Sequence, residues 1–111
     1  MPEQAWMDTW HVKPGRMEDF LGVIEQFDGI MTRLDVRPTF HNAVQELSGP
    51  GESGFLTVHH SFGYDSFEAY GKAFDAFFAD EGFLELFNGV LGADGPAVSR
   101  SGASGQFLFR R

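Results

Sequence analysis

Phe55-Leu56-Thr57-Val58-His59-His60-Ser61-Phe62, then Gly63-Tyr64-Asp65-Ser66, then Phe67-Glu68-Ala69-Tyr70-Gly71-Lys72-Ala73-Phe74-Asp75-Ala76-Phe77-Phe78, is the stretch that decides the fold. Its first part is aromatic and β-branched, which suits a pleated, half-buried surface and predicts a strand over 55–62. Gly63-Tyr64 is expected to break that strand. Asp65 stands three residues before Glu68, a spacing that lets the Asp65 carboxylate accept from the free amides of a first helical turn. Phe67, Tyr70, Phe74, Phe77 and Phe78 then recur at helical spacing and predict an apolar stripe on a helix over 65–79.

Upstream, Ala5 to Val12 reads as a first strand. Trp6, Asp8, Trp10 and Val12 share one face, and Met7, Thr9 and His11 the other. Pro14-Gly15 opens a helix over about 16–31, with Met17, Phe20, Leu21, Ile24, Phe27 (or Asp28) and Met31 on its apolar side. Gly22 and Gly29 each weaken that helix by about 1 kcal/mol relative to alanine. A second strand, 39–47, meets the 55–62 strand across Ser48-Gly49-Pro50-Gly51-Glu52-Ser53-Gly54, which is turn chemistry throughout. A strand follows that loop rather than a helix N-terminus, so it lacks the setting of a phosphate cradle.

Downstream, Asp80-Glu81-Gly82 interrupts the second helix. Phe83, Leu84, Phe87, Val90 and Leu91 continue an apolar face on a shorter segment. A last strand is expected over 104–110, with a start as early as Val98 if Gly102 and Gly105 are bulges.

The order strand, helix, strand, strand, helix, strand is that of a ferredoxin-like βαββαβ domain, an α+β fold with a four-stranded antiparallel sheet. Its helices cover one sheet face, and no third helix is expected to cover the other. That second face is expected to be apolar and to close against a second copy. A length of 111 residues fits one domain, 1–111. Thirteen Phe, two Trp and two Tyr exceed what a small two-layer core absorbs, so a dimer interface or a ligand cavity is expected besides.

A net charge of −8 and a pI near 4.7 repel phosphate backbones and anionic lipid, arguing against nucleic-acid and membrane partners. Without cysteine there are no disulfides, iron–sulfur clusters or thiolate zinc sites. Met1-Pro2-Glu3-Gln4 lacks the basic and apolar regions of a signal peptide, and no window approaches the ~20 apolar residues of a membrane span. A cytoplasmic location is therefore expected.

Trp10-His11-Val12-Lys13-Pro14-Gly15-Arg16 at the entry to the first helix, and His59-His60-Ser61-Phe62-Gly63-Tyr64-Asp65-Ser66-Phe67-Glu68-Ala69-Tyr70, resemble the dimeric α+β barrel superfamily. Within it the chain resembles NIPSNAP-like and antibiotic-biosynthesis-monooxygenase-like small proteins. The resemblance implies a homodimer with its sheets paired into a barrel and a ligand between sheet and helices. Activities in the superfamily range from quinol and polyketide monooxygenation to haem degradation, cyclisation and decarboxylation, so the fold alone does not fix the chemistry. Haem-degrading members use a third-strand tryptophan, a first-strand asparagine and a late-helix histidine. Here Ser61 stands at the first position, the first strand has no asparagine, and the late-helix region holds Leu86 and Phe87. Trp6, Trp10 and Asn42 are the candidates for an analogue of the monooxygenases' asparagine-plus-tryptophan set.

His59 and His60 point to opposite faces of one strand. Setting Val44 opposite Val58 places Asn42 opposite His60, and His41 on the face of His59. His11, one strand further over, is expected near the same region. These imidazoles are candidates for a general base near neutral pH, for ligand hydrogen bonds, or for a metal site of His41, His59 and His11, against a plain structural role. Asp8, between two indoles, is a candidate base if buried, or a rim carboxylate paired with Arg100 or Arg110.

The candidate catalytic residues are thus His59, His60 and Asp8. The candidate ligand contacts are His11, His41, Trp6, Trp10, Asn42, Tyr64 and Phe74. There is no nucleotide fingerprint or Ser-His-Asp signature, and no cofactor is expected. The expectation is cofactor-independent oxygenation, or a related reaction, on a small aromatic or polyketide-like compound. The alternative is a non-catalytic small-molecule-binding or stress-related protein of the same fold.

Overall fold

In a computed structural model, which describes residues 3–46 and 56–107, the elements are β1 (Glu3–Val12), α1 (Met17–Arg33), β2 (Phe40–Gln45), β3 (Leu56–Tyr64), α2 (Phe67–Phe78), α3 (Glu81–Val90) and β4 (Ala97–Phe107). The strands form one antiparallel sheet in the order β2-β3-β1-β4. This is the expected ferredoxin-like arrangement with one helix more.

The extra helix is the segment after the Asp80-Glu81-Gly82 interruption. Asp80 is not merely a breaker. Its carboxylate accepts from the Phe83 amide at 2.8 Å and starts α3 as its N-cap. The same carboxylate takes both Arg33 guanidinium nitrogens, at 2.9 and 2.8 Å, so the last turn of α1 is tied to the first of α3. At the start of α2 the cap is Ser66, which accepts from the Ala69 amide, in place of the expected Asp65. β3 runs through Gly63-Tyr64 because both residues pair with β1, at Ala5 and Gln4. In β4, Gly102 and Gly105 pair in register with Asp8 and Ala5, and the irregularity lies instead at His11/Val12. The expected 48–54 turn, Arg110 and the end of the last strand lie outside the described residues.

All the helices pack on the sheet face that carries Trp6, Trp10, Val12, Val58 and Phe62. Phe20, Phe77, Met31, Val12 and Val58 are among the fully buried side chains. Of the expected stripe on α2, Phe77 is buried, while Phe67 and Phe78 are exposed. Leu21 of the expected α1 stripe is exposed as well.

The opposite sheet face, expected to be apolar, is mixed. Val44 and Met7 are exposed on it at 59% and 41%, among Thr9, His11, His59, Asn42, Ser99 and Ser101.

Candidate functional site

Between β1, β4 and helices α2 and α3 lies a cavity of about 550 Å³, within the size range of small-molecule sites. Its walls are mostly aromatic: Phe62 and Trp6 from the sheet, Phe74, Phe77 and Phe78 from α2, and Phe83 and Phe87 from α3. The polar groups on it are few: Asp8, Arg100, Tyr70, Ser104 and Asn88. Tyr70 and Ser104 share a hydrogen bond of 2.5 Å between their hydroxyls, which bridges α2 and β4.

Asp8 is 3% exposed, and its environment follows from strand alternation. Trp6 and Trp10 lie two residues to either side on the same face, and both indole N–H groups donate to the Asp8 carboxylate, at 2.6 Å each. Directly across β3, His60 places Nδ1 3.0 Å from Asp8 Oδ1. The carboxylate therefore meets three donors, and Oδ2, with Trp6 alone among them, keeps capacity for a ligand. Gly102, opposite Asp8 on β4, makes this possible. A Cβ there would lie 2.5 Å from Cζ2 of Trp6, so only glycine leaves the indole room to lie across the strand. Gly102→Ala is expected to cost about 1–3 kcal/mol of stability and to displace Trp6 from Asp8. A thermal melt and the near-ultraviolet circular dichroism of the indoles check it.

From His60 the hydrogen bonds continue outward. His60 Nε2 lies 2.8 Å from His41 Nε2, His41 Nδ1 lies 2.9 Å from Asp28 Oδ1, and Arg37 donates to the same oxygen at 2.7 Å. Phe27 seals this row, with its ring 5.6 Å from His41 and 5.9 Å from His60, both near edge-to-face. Burial holds His41 below its ordinary pKa, against the opposing pull of Asp28. Asp28 is held below the usual carboxylate range, first by the His41 hydrogen bond and then by Arg37.

The signs give a pH profile. The unfolded chain binds a proton at His41 below about 6.5 that the folded chain resists, so stability falls as pH drops below that value. Asp28 contributes stability above about 3.8 that is lost as pH falls further, through its depressed folded pKa. Thermal melts from pH 7 downward are expected to show both declines, and His41→Gln to remove the first.

The structure divides the candidate residues. Asp8, Trp6 and Phe74 line the cavity, Trp10 and His60 hold Asp8 from below, and His41 backs His60. His59 and His11 are on the other face. His59 Nδ1 lies 3.0 Å from Thr9 Oγ1 and its Nε2 3.5 Å from Glu46, while His11 Nδ1 lies 3.4 Å from Thr57 Oγ1. Asn42 pairs with Ser61 and is exposed on that face too. Tyr64 is buried, donates to the Val36 carbonyl at 2.7 Å, and is pushed well above its ordinary pKa by that burial.

The expected register was one residue off. Val44 faces His59, not Val58, so His41 shares a face with His60. β2 is an edge strand and Val44 is exposed, so matching valines did not set the pairing; burying His41 against Phe27 did. This separates His41 from His59 and His11, and no group of metal-binding side chains forms among the described residues. Asp8 is not a rim carboxylate paired with Arg100. Arg100 lies with its guanidinium carbon 5.6 Å from the Trp6 and Trp10 ring centres and 5.5 Å from Phe87.

Sequence reasoning missed Asp28 and the place of Arg100 on the cavity. The signal for Asp28 was present: it shares the flank of the α1 apolar stripe with Phe27, where a solvated face alone does not call for it. Arg100 was named from the sequence only as an ion-pair partner for Asp8, and strand alternation alone did not show that it would lie over the Trp6, Trp10 and Phe87 rings instead.

No family model and no curated protein matches the chain. Solved structures match its fold. A NIPSNAP family protein of Agrobacterium tumefaciens superposes with a TM-score of 0.62 at 10% identity, over 96% of this chain and 86% of that one. A Nitrosomonas europaea protein described as a candidate antibiotic biosynthesis monooxygenase gives 0.66 at 15% identity, over 96% and 91%. A dimeric ferredoxin-like protein from an uncultured marine organism gives 0.66 at 11% identity, over the whole of both chains. The fold is thus that of the NIPSNAP and antibiotic-monooxygenase-like proteins, as the sequence motifs implied.

Proposed function

We propose that the protein binds a small, acidic aromatic compound in the cavity and removes a proton from it at Asp8, as the first step of a cofactor-independent oxygenation. The observation that carries this reading is a buried carboxylate on the floor of an aromatic cavity. His60, rather than His59, is the histidine that supports it. The aromatic walls select a flat, apolar ligand. Arg100 is in none of the ion pairs seen among the described residues and lies on the cavity wall over aromatic rings, so its charge is placed to meet the oxyanion that appears when the ligand loses its proton. The electron-rich anion then reduces O₂. For an activated methylene the balance is R₂CH₂ + O₂ → R₂C=O + H₂O, with one oxygen entering the product and the other leaving as water. The monooxygenase description of the Nitrosomonas europaea neighbour agrees with this chemistry and does not establish it here.

Thermal-shift measurements with quinols and phenolic polyketides, followed by oxygen uptake, test the reading. Stabilisation by acidic aromatics with O₂ consumption is the expected result. Stabilisation without uptake would favour the non-catalytic binding alternative, and neither effect would refute both.

The working unit is proposed to be a homodimer closed through the uncovered sheet face. Helices cover only the other face, Met7 and Val44 project from this one, and fold neighbours are described as dimeric. Sedimentation at micromolar concentration is expected to give twice the 12.4 kDa chain mass. A compact monomer would contradict it.

A further inference from the structure

We infer that Asp8, His60, His41 and Asp28 form a proton wire that carries one proton more than two neutral imidazoles supply and connects the cavity floor with solvent. The inference rests on the proposed proton abstraction for its use, but the wire itself follows from counting hydrogens.

Three contacts link the four groups: Asp8 to His60 at 3.0 Å, His60 to His41 at 2.8 Å, and His41 to Asp28 at 2.9 Å. Each is a hydrogen bond only if one proton lies in it. A carboxylate is an acceptor only, and a neutral imidazole has one N–H and one bare nitrogen. Two neutral histidines therefore fill two of the three contacts and leave lone pairs facing each other in the third, whether that is at Asp8, at Asp28 or between the two imidazoles, and each such contact is repulsive. A third proton removes the conflict. His41 then points Nδ1–H at Asp28 and receives at Nε2, and His60 donates from both nitrogens, to Asp8 and to His41.

The other groups against the wire are consistent with this count. They are the Trp6 and Trp10 N–H donors on Asp8, and Arg37 and Thr32 beside Asp28. Phe27 contributes only ring edges. The wire begins at a 3% exposed carboxylate and ends at Asp28, whose side chain is 43% exposed.

The proton balance during abstraction is simple. When Asp8 takes a proton on Oδ2 from the ligand, its negative charge disappears. The extra His60 proton then passes from Nε2 to His41 Nε2, and the His41 Nδ1 proton passes to Asp28 and to water. Asp8, His60 and His41 together carry no net charge before or after, so the one new charge is the ligand's own, which Arg100 on the cavity wall faces. Run in reverse, the wire refills from solvent as Asp8 returns its proton to the reacting compound.

Nitrogen-15 NMR of the imidazoles at pH 7, on the ligand-free protein, reads the count directly. Three protonated nitrogens out of the four on His41 and His60 are expected, and two would overturn the inference. Asp28→Asn alters an accessible side chain and ends proton transfer at the outer terminus. It is expected to slow turnover about tenfold or more with KM unchanged, and imidazole buffer is expected to restore part of the rate to His41→Ala. Wild-type turnover in Asp28→Asn would overturn the path. If the unaltered protein turns over no aromatic compound, the proposed function fails, and the nitrogen count alone decides whether the wire exists.

Discussion

Asp8→Asn is expected to lower turnover of an acidic aromatic substrate by about 10²–10⁴-fold, the usual contribution of a positioned base. Its affinity for non-ionisable aromatics of the same shape is expected to hold. An amide keeps one acceptor oxygen but turns an N–H₂ group toward a donor. One of Trp6, Trp10 and His60 therefore loses its acceptor, at a cost of about 1–3 kcal/mol. The cavity wall is unchanged, while the proton acceptor is gone. Steady-state kinetics beside calorimetric titration separate the two effects. Equal loss of affinity for ionisable and non-ionisable ligands would mean that Asp8 acts only by shaping the site.

Phe27→Ala carries the largest expected change in stability, about 3–5 kcal/mol. Phe27 is 4% exposed. Its ring meets Phe62 at 5.1 Å, Phe77 at 5.2 Å and Phe83 at 5.7 Å, besides both wire histidines. Truncation leaves a void where the three helices meet the sheet. A domain of this size has about 5–15 kcal/mol in all, so the variant is expected to sit close to unfolding in urea titration. It also opens the wire to water, so the acid-side decline in stability from His41 is expected to weaken. Phe27→Leu fills most of the volume and is expected to recover over half of the loss. A change below about 1 kcal/mol for Phe27→Ala would show that the ring is not the keystone described.

Much of this architecture is legible in the chain. The β-rich run before Gly63, the apolar periodicity of α1 and the paired indoles around Asp8 each reflect local rules, and β3, α1 and β1 formed close to where these place them, β3 running two residues further, to Tyr64. Tertiary effects decided the rest. Ser66 rather than Asp65 caps α2 because the helix starts one residue later than the spacing implied. Gly63 and Gly102, which read as breaks or bulges, are places where Phe40 and Trp6 rings lie against the backbone. The β2 register depended on which side of the sheet could bury His41, and no pairwise match along the strands contains that information. His59 and His60 are equivalent in sequence. Their roles separate only when Phe62, two residues from His60, is drawn into the core. The cavity is lined from α2 and α3 together, and the Asp80 cap and Arg33 bridge that start α3 and tie it to α1 are tertiary contacts that periodicity does not reveal.

The most direct test is the absorption spectrum of a coloured phenol, such as a hydroxyanthraquinone, bound to the protein several pH units below the phenol's own pKa but above pH 6.5. If Asp8 takes the ligand proton and Arg100 holds the resulting oxyanion, the bound compound shows the long-wavelength phenolate band, and Asp8→Asn returns it to the neutral spectrum. A neutral spectrum for the phenol bound to the unaltered protein would contradict the account.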